Sequence, residues 1–293
     1  MPSFFAVLRL QEPLYIEKIK RRKTLMIMMY KLDIFRVEKP IIGMVHLKPL
    51  PGSPNSLSFS EVLEHALEDA EALVTNEIDG LIVENFMDSP FYPRRVPPHV
   101  ISSISLIAWE IKKRFSIPVG VNVLRNDAMA AIGIASIAGA EFIRVNIHIG
   151  CTVTDQGIIE GEAYRTIRYR EFLKSNVKIF ADIAVKHGKP LYDVPITQLA
   201  RETYYRGRAD ALIITGPYTG AEVSIDDLLK VREAVPDAPI IIGSGVNPSN
   251  IGTLLKYADA AIVGTYIKKN GIVWNPVDPE RVRILMKVVK ELR

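Results

Sequence analysis

The sequence predicts an α/β fold of the (β/α)8 barrel class, and three observations carry that prediction. From Pro40 onward, short β-branched runs alternate with longer amphipathic stretches, the pattern of parallel strands joined by crossover helices. The strand candidates number eight. The length of 293 residues matches a barrel of about 250 residues with an appendage.

The strands are expected at residues 41–45, 80–84, 118–123, 142–147, 178–183, 209–215, 239–243 and 260–264. The helices between them carry their own start signals. Ser58-Phe-Ser-Glu61 is a capping box, in which two orphan backbone N–H groups are satisfied reciprocally. Phe59, Leu63, Ala66, Ala70, Leu73 and Val74 then recur at helical spacing. Asn247-Pro248 and Asp278-Pro279 set a polar cap before a proline at the first position of the seventh and eighth helices. The connections that follow strands, residues 48–57, 86–98, 149–161 and 184–196, are long and rich in Gly and Pro, so the functional face is expected at the carboxyl ends of the strands. A doubly wound sheet is the rival fold and accounts less well for the glycine turns described below. The barrel is assigned to residues 39–293. Residues 1–38 form an N-terminal extension outside the pattern, with Met26, Met28 and Met29 as alternative starts and a short helix against one end of the barrel as its expected structure.

The formal charge of +4 is unevenly placed: residues 1–39 hold nine Lys or Arg against four Asp or Glu, leaving the rest of the chain at −1. A neutral body without a basic groove speaks against nucleic acid as a partner. Apolar residues make up 48% of the chain, enough to fill a large core. The apolar run at residues 25–29 is too short for a signal peptide, and no segment reaches the ~18 apolar residues of a membrane span. A cytoplasmic location is expected. Cys151 has no second thiol for a disulfide or a thiolate metal site. Self-association through the outer helices is left open.

After the seventh strand comes Gly243-Ser244-Gly245-Val246-Asn247, leading into a helix, and after the eighth comes Gly264-Thr265. Glycines let a backbone approach a ligand closely, and N–H groups at a helix N-terminus attract anions. In many barrels the loops after strands seven and eight hold a phosphate. Thr215-Gly216, after strand six, would widen this cradle. A phosphorylated small molecule is therefore the expected ligand.

Each strand also ends in a polar residue: His46, Glu84, Asn122, Asn146, Asp182, Thr215, Ser244 and Thr265 are expected to ring the mouth. Asp182, entering an otherwise apolar strand, is the first candidate for a general base with a raised pKa; the competing reading is a carboxylate paired with a Lys or Arg. Lys186 and His187 follow as a cation and a titratable group. Lys186 is expected to be looped and hydrated, which speaks against an imine mechanism. Glu84 joins the catalytic set, and Asn85, Asn122 and Asn146 are candidate ligand contacts. Glu84, Asp182 and His46 could together hold a divalent metal, although no spacing demands one, and no cofactor is required. Arg144 is expected to point away from Asn146. Arg94 and Arg95 are expected to be surface charge rather than an anion clamp, and the loop 150–161 is a candidate lid.

The segment Ile42-Gly-Met-Val-His-Leu-Lys-Pro-Leu-Pro-Gly-Ser-Pro54 resembles the opening motif of the BtpA family. Val83-Glu-Asn-Phe86, Val121-Asn122, Arg144-Val-Asn146, Ala181-Asp182, Lys186-His187 and Gly243-Ser-Gly-Val246 look like family positions as well. The resemblance implies a phosphate-binding barrel related to the ribulose-phosphate-binding group, and a family name taken from photosystem I assembly. Two functions follow as expectations. One is an enzyme, an isomerase, lyase or hydrolase, acting on a phosphorylated sugar or nucleotide-like compound by acid–base chemistry. The other is a non-catalytic assembly or stability factor for a membrane complex.

Overall fold

Strands of a closed parallel barrel are buried on both faces, so they are apolar throughout while alternate residues serve two different cores. The computed structural model describes residues 31–293. In chain order its strands are β1 (Ile41–His46), β2 (Gly80–Glu84), β3 (Val119–Asn122), β4 (Phe142–Val145), β5 (Cys151–Thr154), β6 (Gly157–Glu160), β7 (Lys178–Asp182), β8 (Gly188–Pro190), β9 (Ala211–Ile214), β10 (Ile240–Ile242) and β11 (Ala260–Val263). Eight of them close a parallel barrel in the order β1-β2-β3-β4-β7-β9-β10-β11, at the eight predicted places. Ile41, Val45, Leu81, Val83, Ile143 and Val145 belong to the core shared with the helices. Ile42, Met44, Ile82, Phe142, Phe180, Ile213 and Ile262 fill the barrel itself.

The floor of the barrel is aromatic. Phe142 and Phe180 stack at 4.6 Å, and Phe35 leans on both, with ring centroids at 5.6 and 6.4 Å. Two strand glycines leave the room: a Cβ on Gly80 would lie 2.5 Å from Phe35, and one on Gly120 would lie 2.2 Å from Phe142. Leu32 is buried beside Phe35. Residues 31–38, expected to belong to an extension, thus plug the barrel from below, and they do so as turns and bends rather than as a helix. The expectations for residues 1–30 lie outside the described residues.

The capping box is formed, with Ser58 N donating to Glu61 Oε2 at 2.9 Å and Glu61 N to Ser58 Oγ at 3.3 Å. Asp278 caps the helix Pro279–Lys290 through Glu280 N at 3.0 Å. The seventh helix starts later than expected. Asn247 heads a turn, its side chain accepting from Ser249 N, and the helix proper is only Ile251–Leu254. The loop expected as a lid is also more regular than predicted. β5 and β6 make an antiparallel hairpin, and β8, from the next long connection, pairs with β5 through Thr154 and Gly188. Four-residue strands with mixed polar faces leave little periodicity to read. Among the described residues no helix is long and apolar enough to cross a membrane.

Candidate functional site

Residues two apart on a strand share a face. Met44 is therefore followed by His46, Ile82 by Glu84, and Phe142 by Arg144 and then Asn146, all pointing along the barrel axis toward the carboxyl end. Register aligns His46 with Glu84 and Glu84 with Asn122. All of these side chains are buried, as are Asn122, Asn146 and Asp182. A cavity of about 610 Å³ opens above them, lined by His46, Glu84, Arg144, Asn146 and Lys186 below and by the turns after β9, β10 and β11 above.

Glu84 is the carboxyl group at the centre. Its Oε2 accepts from Asn122 Nδ2 at 2.5 Å, and its Oε1 lies 3.8 Å from His46 Nε2. Burial raises its pKa, against the opposing pull of Arg144 and of the Asn122 bond. His46 stacks on Phe86 at 4.2 Å. Burial, reinforced by the charges of Lys268 and Lys186, holds its pKa well below the usual imidazole value, so the ring is neutral near pH 7.

Arg144 corrects the sequence reading. Lying two residues before Asn146, it shares the inward face, and its Nε and Nη2 reach Asp182 Oδ1 and Oδ2 at 3.0 and 2.9 Å. Asn146 Nδ2 donates to the same Oδ2 at 3.3 Å. Asp182 is thus the partner of a buried arginine, the arrangement weighed against it as a free base. Its oxygens serve to anchor Arg144 at the cavity wall. The three-residue metal set fails for the same reason, and among the described residues no three His, Cys, Asp or Glu side chains gather as ligands.

The glycine turns after β10 and β11 face the cavity. Gly243, Gly245, Gly264 and Thr265 line the cavity, and the N–H groups of Gly245, Val246, Gly264 and Thr265 find no acceptor among the described residues. Gly245 has φ +71°, and a Cβ there would lie 2.4 Å from Glu222 Cα, so only glycine fits without strain. The Ser244 hydroxyl is engaged in structure: it donates to Ala221 O at 2.8 Å and accepts from Gly216 N at 2.7 Å. Thr215 donates to Ala184 O at 2.8 Å. Thr215 and Gly216 therefore tie loops together, and it is Tyr218, Thr219 and Gly220 farther along that widen the cradle.

Lys186 is not the hydrated side chain expected from its loop. It lines the cavity, its Nζ donates to Gly243 O at 3.1 Å, and burial together with the nearby Arg144 charge lowers its pKa to about 8. His187 is exposed at the rim, with Nε2 3.2 Å from Thr219 Oγ1. Asn85 lies on the opposite face of the chain from Glu84 and has its amide filled: Oδ1 accepts from Leu124 N at 2.8 Å, and Nδ2 donates to Asp88 at 3.1 Å. Asp88 in turn accepts from Leu50 N at 2.8 Å, so Asn85 pins the Pro-rich loop after β1 rather than a ligand. Arg94 meets Glu160 at 3.4 Å, and Arg95 spans Asp127 and Glu162 at 3.0 and 2.6 Å; neither lines the cavity.

Besides Tyr218, Thr219 and Gly220, sequence reasoning missed Arg125, Asp155, Trp274 and Arg281 on the cavity wall. Arg125 is buried after β3, with Nη2 donating to Lys186 O at 2.5 Å. Asp155 sits at the tip of the β5–β6 hairpin, Arg281 packs its guanidinium 4.3 Å over Tyr266, and Trp274 meets Phe86 at 5.2 Å. The strand period gave a usable signal for Arg144, but no local pattern marks Arg281 or Trp274. Arg125, Arg144, Lys186 and Arg281 face the cavity with Glu84 and Asp155 as the lining carboxylates, a balance that favours an anionic guest.

Residues 37–291 match the model of the BtpA family. The chain belongs to the BtpA family. An uncharacterised protein of Pyrococcus furiosus is 44% identical over 89% of this chain and 98% of its own. The photosystem I biogenesis protein BtpA of Synechocystis is 43% identical over 88% of this chain and 90% of its own. Among solved structures, thiamine phosphate pyrophosphorylase from Pyrococcus furiosus superposes with a TM-score of 0.54 at 16% identity, covering 86% of this chain and 96% of the other. At that identity the likeness concerns the fold alone. The family membership expected from the opening motif is thereby shown.

Proposed function

We propose that this BtpA-family barrel is an enzyme acting on a phosphorylated small molecule by acid–base chemistry. The phosphate would rest against the turns at Gly245 and Gly264, and the remainder of the molecule would reach down to Glu84. The observation that carries this reading is the convergence, on one cavity, of four backbone N–H groups without an acceptor and a buried carboxyl group of raised pKa. The first suits an anion, and the second, held above the ordinary carboxylate range by its burial, suits a group that gives and takes a proton. A volume of about 610 Å³ suits a small metabolite. Isomerase, lyase and hydrolase chemistry share these requirements, because a phosphate grip does not select the reaction.

Glu84 takes over the role first expected of Asp182. Asn122 and His46 orient its carboxyl group, and Arg144, steadied by Asp182, faces charge that develops on the substrate. Arg281 and Lys186 add positive charge near the phosphate end. The name of the Synechocystis relative supports a second reading, a non-catalytic factor in the biogenesis of a membrane complex.

A thermal-shift series with inorganic phosphate, sugar phosphates and nucleotides, each with and without divalent metal, tests the choice. A ligand at ~100 times its dissociation constant stabilises by about 2.7 kcal/mol, which raises the midpoint by several degrees in a domain of this size. The expected result is a shift that Gly245→Asp abolishes and Glu84→Gln retains while losing turnover. No shift with any phosphate compound would reject the enzyme and leave the assembly factor.

A further inference from the structure

Three buried polar atoms on the cavity wall have no partner among the described residues: Asn146 Oδ1, Arg125 Nε and His46 Nδ1. Buried groups left unpaired are costly, so in a binding site they describe the ligand that completes them. The amide of Asn146 has one orientation, because its Nδ2 donates to an Asp182 oxygen that can only accept. Its Oδ1 therefore awaits a donor, which a sugar hydroxyl supplies. Arg125 Nε awaits an acceptor, such as a carbonyl or hydroxyl oxygen.

Lys186 stands between these groups and the cradle. The buried cations Arg144 and Lys268 each have a carboxylate, at 2.9 and 2.6 Å. Lys186 Nζ instead donates to the carbonyl oxygen of Gly243, at 3.1 Å, and makes no ion pair among the described residues. That bond fixes the amine beside the first glycine of the phosphate turn while two hydrogen positions remain for other partners. Arg125 donates to the Lys186 carbonyl oxygen and holds the backbone at the same point.

We propose that Lys186 is a nucleophile that forms an imine with the carbonyl carbon of a phosphorylated hydroxy-ketone or hydroxy-aldehyde. The inference rests on the phosphate reading of the same cavity and names its substrate class. Nζ adds to the carbonyl carbon, and one proton passes from nitrogen to the carbonyl oxygen to give a neutral carbinolamine. The C–O bond then breaks as the hydroxyl takes a second proton and leaves as water, the nitrogen lone pair forms the C=N bond, and the nitrogen gives up its remaining proton. Glu84 faces the same cavity; as the acid it protonates the departing oxygen, and as the carboxylate it takes the proton from nitrogen. Nothing is oxidised or reduced. A pKa of about 8 leaves roughly a tenth of the amine neutral and nucleophilic at pH 7. The neighbouring guanidinium of Arg144 favours that neutral form, the second-cation device known for activated lysines.

The test is reductive trapping on the full-length chain. The protein is incubated with dihydroxyacetone phosphate or ribulose 5-phosphate, treated with cyanoborohydride, digested and analysed by mass spectrometry, and the same compounds are run in a thermal-shift assay. The expected result is a reduced adduct concentrated on the peptide containing Lys186. It should disappear in Lys186→Arg and Lys186→Met, while inorganic phosphate still shifts the midpoint of Lys186→Arg. A thermal shift with the sugar phosphates but no adduct at Lys186, or an adduct no greater than on surface lysines, overturns the nucleophile and leaves the phosphate site standing. Neither a shift nor an adduct overturns both.

Discussion

Two glycines in the same backbone conformation sit in opposite surroundings, and together they separate the fold's need for glycine from the site's. Gly139, at a helix C-terminus, has φ +75° and open space where a Cβ would go. Gly245, in the cradle, has φ +71°, and its added Cβ would lie 2.4 Å from Glu222 Cα and 2.5 Å from Ala221 O. Gly139→Ala should therefore cost only the left-handed conformation, about 1–2 kcal/mol. Gly245→Ala bears the same cost plus a clash with backbone that no rotamer change relieves, roughly 1–3 kcal/mol more. The strain is relieved by pushing residues 221–222 outward, which also moves Tyr218, Thr219 and Gly220 off the cavity. Urea unfolding of both variants measures the difference, and the phosphate-dependent midpoint shift measures the site. Gly139→Ala is expected to keep the full shift and Gly245→Ala to lose most of it. Equal destabilisation of the two, with phosphate response intact in both, would refute the claim that close backbone packing shapes the cradle.

Phe35→Ala, which empties the aromatic floor, should lose about 3–5 kcal/mol by urea unfolding; likewise a chain starting at Lys39 should be less stable than one starting at Lys31. Asp182→Leu strands the buried Arg144 and should cost about 3–5 kcal/mol, most of which Arg144→Met in the same chain should restore; a double-mutant cycle without such recovery would count against the pair. Lys186 titrates near 8 when folded and near 10.5 when unfolded, so the unfolded chain binds more protons between these values. Stability should accordingly rise with pH across that window, by at most about 1.4 kcal/mol per unit for this group. Lys186→Met should lack that component in a pH series of unfolding curves.

All eight barrel strands were legible because continuous β-branched runs bounded by glycine and proline admit few other readings. The place of the glycine turns at the cavity was legible for a related reason: they are set by chain position, after the last two strands. The chemistry above the floor was less so. Asp182 and Glu84 look alike in the sequence, each a carboxylate ending an apolar strand. What separates them is a neighbour in space: Arg144 comes from β4 and engages Asp182, whereas Glu84 receives only a neutral amide. That pairing was available in part, since strand periodicity puts Arg144 on the same face as Asn146. The half-buried seat of Lys186 was not available, because it depends on the turn after β10 coming across to meet it. Nor was the plug at Phe35, which lies ahead of the first strand and finds its partners more than a hundred residues downstream.

The small sheet beside the mouth couples two things that look separate along the chain. β8 follows Lys186 by two residues and is hydrogen-bonded into the β5–β6 hairpin, whose tip carries Asp155 to the cavity. The hairpin that brings Asp155 to the cavity and the loop that brings Lys186 there are therefore joined by one antiparallel ladder, although more than thirty residues separate them along the chain.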